Sequence, residues 1–277
     1  MRELKRKVYD LRKDVLSMIY KAKTGHIGGD FSVIDILSVL YLKQMNISTE
    51  NMDDPNRDYF VMSKGHSMEA YYAVLAEKGF LDREKVINEF SSFGSKLIGH
   101  PNNKLPGIEM NSGSLGHGLP VCVGIALAAK KDKRSSRVYT VMGDGELAEG
   151  SVWEGFMAGG QFALDNLCAI IDRNGLQISG CTEDVMGQEN LEERIKAFRW
   201  HVIQVDGNDV EALDKAFEEA KGTKGMPTCI IANTVKGFGG GPIMEKKAEW
   251  HHKVPNEEEY ALITFELDKR KEDVCNE

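Results

Sequence analysis

A chain of 277 residues is long enough to bury a sizeable hydrophobic core, as one large α/β domain or two small ones. Its formal net charge of −8, with Lys and Arg interspersed among Asp and Glu, argues against nucleic acid or an anionic membrane as the main partner. Five scattered cysteines without a CxxC pair suggest neither a disulfide framework nor a zinc site, no apolar run approaches the ~18 residues of a membrane span, and the charged start carries no signal peptide, so a cytoplasmic protein is expected.

In chain order, helical patterns at about 2–22 and 33–45 come first, then the apolar run YFVM (59–62) and a helical pattern at 67–78. The stretch 91–118, rich in Gly, Ser, Asn and Pro, carries no pattern. A helix at 118–132, the run RVYTVM (137–142), a helix at 151–163 and the run LCAIIDR (167–173) follow. A helix at 190–199, the run HVIQV (201–205), a helix at 209–221 and the run TCIIANT (228–234) complete the series, and 235–256 is again unassigned. Continuous apolar runs alternating with helices predict α/β architecture, a doubly wound parallel sheet with helices on both faces and ligands bound at strand C-termini. Unpatterned segments as long as 91–118 and 235–256 are expected to be functional or disordered, and the glycines at 237 and 239–241 read as a mobile flap.

Gly143-Asp144-Gly145 follows directly on the apolar run 137–142, which places the Asp144 carboxylate at the C-terminal edge of a strand. The flanking glycines permit a tight turn and let a phosphorylated ligand approach the backbone. Magnesium takes one or two protein oxygens plus ligand phosphates, and Asp144 with the amide of Asn174 would supply them. Twenty-eight residues separate Gly145 from Asn174, room for one βαβ crossover that brings both to neighbouring strand ends. Each motif alone is also an ordinary surface turn. A dinucleotide site fits less well, because GDGELAEG lacks the third glycine of GxGxxG and no Walker lysine follows. Of the seven histidines, His26, His66, His100 and His117 directly follow a glycine, as loop histidines facing a ligand would, although any of them could fill a turn or cap a helix. His201 reads as structural, His252 cannot be separated from its neighbour His251, and Lys236 is either a site residue or a solvated charge.

Taken in order, KAKTGHIGG (21–29), VMSKGHS (61–67), LIGHPN (97–102), SGSLGHGL (112–119), GDGELAEGSVWE (143–154), DRNGLQISG (172–180), TVKGFG (234–239) and EWHHK (249–253) resemble the transketolase family of thiamine-diphosphate enzymes. The resemblance implies Asp144, Asn174 and the Leu176 carbonyl as ligands of magnesium, or of another divalent cation such as calcium or manganese. It implies a Gly145 backbone contact and His66 and His251 at the diphosphate of thiamine diphosphate, and Gly113, Ser114 and Leu115 beside the aminopyrimidine. His26 and His100 match sugar-binding histidines, with His26 or His251 taking a hydroxyl proton. Glu149 matches a buried glutamate that couples two active sites across a subunit interface, and Lys236 a basic residue near the closed loop.

Ile27 in place of a frequent proline, His117 in place of glutamine and the absence of a doubled asparagine at 172–174 depart from the family pattern, though none removes a metal ligand. The family's pyrimidine-binding and C-terminal domains are not found in 1–277, so the chain is expected to be a single diphosphate-binding domain, the N-terminal subunit of a split transketolase. Its expected partners are a separate C-terminal, pyrimidine-binding subunit, a second copy within an α2β2 assembly, and sugar substrates; its activity is transfer of a two-carbon ketol unit between sugars in pentose phosphate metabolism. The α subunit of a 2-oxoacid dehydrogenase or another thiamine-dependent carboligase shares Gly-Asp-Gly and the asparagine, and a non-catalytic scaffold on the same fold is a third reading. TGHIGG, SKGH and IGHPN favour the sugar-handling branch.

Overall fold

The computed structural model describes residues 1–178 and 180–276; Ser179, within the expected motif 172–180, and Glu277 lie outside the described residues. The elements run α1 (Arg2–Ala22), α2 (Ile27–Val39, continued by a π-helical turn Leu40–Gln44), β1 (Tyr59–Met62), α3 (Met68–Glu77), α4 (Arg83–Glu89), α5 (Gly118–Lys131) and β2 (Val138–Gly143). After a 3-10 turn at Gly145–Ala148 come α6 (Gly150–Gln161), β3 (Leu167–Arg173), the short strands β4 (Leu176–Gln177) and β5 (Gly180–Cys181), α7 (Thr182–Met186) and α8 (Leu191–Ala197). The chain then forms β6 (His201–Asp206), α9 (Val210–Gly222), β7 (Thr228–Asn233), a second 3-10 turn at Ala248–His251 and α10 (Glu257–Asn276).

Five strands form one parallel sheet in the order β1-β2-β3-β7-β6. Along each strand, side chains alternate between two cores, because successive residues of a strand point to opposite faces. Phe60, Tyr139, Val141, Ile170 and Ile230 pack under α1, α2, α3 and α9, while Val61, Val138, Ala169, Ile171 and Ile231 pack under α5, α6 and α8. The doubly wound sheet read from the sequence is therefore the one observed. Strand register sets where the loops leave the sheet. Gly143 lies opposite Asp172 and Arg173 opposite Asn233, so β2, β3 and β7 end side by side and the loops after them emerge together.

Besides α4, α7 and the short strands β4 and β5, which the sequence reading did not assign, two longer elements depart from it. The second helix begins at Ile27, six residues before the expected 33, and every residue of it is buried. A helix enclosed on all sides has no polar face, so its apolar residues show no helical period. Gly28 permits this enclosure, since a Cβ there would stand 2.6 Å from the Trp250 carbonyl oxygen. The charged C-terminal stretch is the second case: it is the end of α10, which lies against α1, buries Ile263 and Leu267, and places Lys13 beside Asp268 and Lys271 beside Asp10. Among the described residues, no helix is long and apolar enough to cross a membrane.

Candidate functional site

The C-terminal ends of β1, β2, β3 and β7 open into one cavity of about 380 Å3. β1 leads into Lys64 and His66, β2 into Asp144, β3 into Asn174 and β7 into Lys236, and all five line it. His26 from the α1–α2 loop, His100 and Gly113 from the 91–117 segment, Leu176 from the β4–β5 hairpin and His251 from the second 3-10 turn complete the wall. Residues separated by up to 225 positions in sequence thus meet because a parallel sheet sends every strand-end loop to the same edge.

At the floor, Asp172 receives Lys64 Nζ at 2.5 Å and the Ser32 hydroxyl at 2.7 Å on one oxygen, and the Thr234 hydroxyl on the other. Lys64 also donates to the Gly29 carbonyl at 3.2 Å. Both members of this ion pair are almost wholly buried, and together they tie α2, the β1 loop, β3 and the β7 loop into one unit. Neither was singled out from sequence. The signal was an acid ending an apolar run in IIDRNG and a lysine in SKGH, but 108 positions separate them and only the fold pairs them.

Asp144 is 2% exposed. Its carboxylate accepts the Gly145 N–H at 2.9 Å and the Gly175 N–H at 2.6 Å, and Asn174 Oδ1 accepts the Leu176 N–H at 3.1 Å. Burial, reinforced by the charge of Asp172, pushes the Asp144 carboxyl up to about 6. The chain does turn tightly after Asp144, into the 3-10 turn Gly145–Ala148, but without left-handed backbone at either glycine. Gly143 instead leaves space: it lines the cavity, and a Cβ on it would meet nothing within 4 Å. Among the described residues no three or more His, Cys, Asp or Glu converge on a metal position; Asp144 and Asn174 bring one carboxylate and one amide to the cavity, donors of the kind a hard cation takes when phosphate supplies the remainder.

Glu149, expected to be buried, is exposed on this chain, and neither it nor Ser114 is among the residues lining the cavity. The buried glutamate of this motif is Glu146. It accepts the Gly116 N–H at 2.8 Å, the Gly143 N–H at 3.1 Å and the Ser63 hydroxyl, holding the 112–117 loop against the ends of β1 and β2. The supposed flap is also packed: Gly237, Gly239, Gly240 and Gly241 are buried, and the Gly237 N–H donates to the Gly28 carbonyl at 3.0 Å. Lys236 is not a solvated charge but 2% exposed. Its ammonium contacts His251 Nδ1 at 3.1 Å, and no carboxylate among the described residues pairs with it. His117 sits exposed at the start of α5 outside the cavity, and His201 is held at 2.7 Å by Glu219 on the far side of the fold.

The remaining histidines form one cluster. The His26 ring lies 5.4 Å from His66, 5.7 Å from His251, 6.3 Å from His100 and 4.5 Å from His252. Burial first, then facing positive charge from the other histidines, Lys64 and Lys236, pushes His26 down to about 4 and His251 to about 3, and holds His66 well below its ordinary range. Burial and the nearby Lys64 ammonium push Lys236 down to about 8.

These shifts set a pH dependence. In the unfolded chain the three imidazoles take up protons near 6.5; in the folded chain they resist until far lower. Over that interval the unfolded state binds more protons, so their contribution is whole above 6.5 and is lost as pH falls toward 4. Thermal unfolding of the ligand-free protein at a series of pH values should show a shallower acid loss for the double variant His26→Gln, His251→Gln than for the unsubstituted chain. Parallel curves would refute the neutral cluster.

An uncompensated buried ammonium, neutral imidazoles, an orphaned His26 Nδ1 and a buried carboxylate beside open space fit a cation-bridged diphosphate. The fold and this cavity define the chain as a diphosphate-binding α/β enzyme component. Residues 4–269 match the family described as transketolase, thiamine diphosphate binding domain, and the chain belongs to it. It is 48% identical over 261 residues to a subunit of the apulose-4-phosphate transketolase of Phocaeicola vulgatus, with 94% of this chain and 92% of that protein covered. It is 39% identical over 260 residues to the 6-deoxy-6-sulfo-D-fructose transketolase subunit SqwG of a Clostridium species, with 94% of each covered. The transketolase structure from Campylobacter jejuni superposes with a TM-score of 0.85 at 29% identity, covering all of this chain but 48% of that one. The chain therefore corresponds to about half of a full-length transketolase and to nearly all of one subunit of a split one: it is the N-terminal subunit of a split transketolase.

Proposed function

We propose that this cavity holds the diphosphate of thiamine diphosphate through magnesium, with Asp144, Asn174 and the Leu176 carbonyl on the cation, Lys236, His66, His251 and the Gly145 backbone at the phosphates, and His26 and His100 facing the sugar. Calcium or manganese would suit the same oxygen donors. When bound, the cofactor supplies the electron sink for ketol transfer between a ketose, or its phosphate, and an aldose. The chain's own part is to neutralise phosphate charge with Lys236 and the cation, to hold neutral imidazoles ready to accept a sugar hydroxyl proton, and to close one side of the site against water. Residues 1–277 act as one diphosphate-binding domain in the cytoplasm. The aminopyrimidine side belongs to a separate C-terminal subunit meeting Gly113, Ser114 and Leu115, and Glu149, exposed on this chain, becomes buried in an α2β2 assembly.

The observation that carries this reading is Lys236, a buried ammonium aimed into the cavity without a carboxylate partner. Lys236→Met should weaken thiamine diphosphate binding to the assembled heteromer about 10- to 100-fold, the loss of one charge-assisted hydrogen bond of ~1.5–3 kcal/mol. Calorimetric titration in magnesium buffer measures it. Unchanged affinity would remove the diphosphate from this cavity.

A further inference from the structure

Behind the histidine cluster lie two carboxyl groups that the assigned chemistry does not use. Asp30, in the first turn of α2, and Glu69, in the first turn of α3, are both completely inaccessible. Two backbone bonds bring their side chains together. Glu69 Oε1 accepts the backbone N–H of His26 at 3.1 Å, and Asp30 Oδ1 accepts the backbone N–H of Ala70 at 3.1 Å. The bonds cross: the acid on α3 holds the start of α2, and the acid on α2 holds the start of α3. The other oxygen of each, Asp30 Oδ2 and Glu69 Oε2, is buried with no hydrogen-bond partner among the described residues. Two carboxyls brought together in a site closed to water are not both ionised at low cost, and a proton between them would satisfy both open oxygens.

We propose that Asp30 and Glu69 share one proton and form a clasp that positions His26 over the cavity, fixing the α2 start that carries it against the α3 start beside His66. These are positioning residues, since neither lines the cavity. Burial raises both carboxyls, and the charge of Asp30 raises Glu69 further, consistent with a proton retained at neutral pH. The charged and titratable groups around the pair are Lys64 from the β1 loop, Tyr72 on α3, and His26 and His66 beyond the backbone bonds. Lys64 is already engaged by Asp172, so it does not replace the proton. On the alkaline side the pair loses that proton, two buried charges repel, and the clasp opens.

The inference rests on His26 meeting the sugar, and the test separates the two. Glu69→Gln keeps an oxygen for the His26 N–H and an N–H for Asp30 but has no proton to lose; Glu69→Leu keeps neither bond. In the assembled heteromer saturated with cofactor, Glu69→Gln should retain kcat within about threefold at neutral pH and show a flatter alkaline limb than the unsubstituted enzyme between about pH 7 and about pH 9.5. Glu69→Leu should lower kcat about 10-fold or more with thiamine diphosphate affinity little changed. An alkaline limb for Glu69→Gln superimposable on that of the unsubstituted enzyme would overturn the shared proton, even if Glu69→Leu fails to fold. Full kcat in a folded Glu69→Leu would overturn the clasp. Failure of the sugar assignment itself would appear elsewhere, as full transfer activity in His26→Ala.

Discussion

Asp144→Ala should abolish the magnesium dependence of thiamine diphosphate binding. The carboxylate is 2% exposed and already accepts two backbone N–H groups, leaving its remaining lone pairs for a cation. Its raised pKa, about 6, records that burial and Asp172 disfavour its charge in the bare site. A divalent cation reverses that balance and holds it ionised. Removing one partner of a buried charge pair costs ~3–5 kcal/mol, so affinity in magnesium should fall on the order of 10²–10³-fold or more. Calorimetry on the reconstituted heteromer, with magnesium and with a chelator, is the measurement, and in the variant the two titrations should coincide. Because the folded carboxyl holds its proton up to about pH 6, cation-dependent affinity in the unsubstituted protein should decline below that pH. A variant that keeps magnesium-dependent affinity would place the cation elsewhere.

His26→Ala and His100→Ala should each lower ketol transfer by ~10²–10⁴-fold while leaving cofactor affinity nearly intact, the range expected when a group acting on a proton in the transition state is lost. The two imidazoles reach the cavity from different loops, with ring centres 6.3 Å apart. Neither side chain is bonded into the Lys64–Asp172 floor, and His26 Nδ1 has no partner among the described residues, which leaves it available to a ligand. His66 differs. It lies beside Gly29 and Lys64 near the floor, so His66→Ala should weaken cofactor binding first. Thiamine diphosphate affinity against steady-state transfer rate, for all three variants in the assembled enzyme, decides. Parallel loss of both quantities in His26→Ala and His100→Ala, or full activity, would make those loops structural.

How much of this was legible in the sequence depends on the range of the interactions involved. The strands of the sheet were readable because parallel strands covered by helices on both faces appear as unbroken apolar runs; YFVM at the edge and LCAIIDR in the centre begin and end where the structure places β1 and β3. α1 was readable from its amphipathic pattern, whereas α2 was misplaced because tertiary packing encloses all of it. The charged end of the chain hid a helix whose few apolar contacts, at Ile263 and Leu267, depend on α1 lying beneath them.

In the site, the sequence by itself determined that Asp144 and Asn174 emerge side by side, since both belong to one crossover whose length places them at adjacent strand ends. It also marked three of the cavity histidines, His26, His66 and His100, through their glycine neighbours, but by the same rule pointed to His117, which lies outside the cavity, and missed His251 and His252. Only the tertiary structure decided that Glu146 rather than Glu149 is the buried acid on this chain, that Lys64 is neutralised by Asp172 while Lys236 is left without a carboxylate, and that Asp30 faces Glu69. Local spacing fixes which residues leave a strand end together, because the backbone geometry of one crossover is short-range. Burial and charge pairing depend on what the rest of the chain brings to the same point, and Asp30 and Glu69, 39 positions apart on two different helices, acquire a shared proton only where both helices close over them.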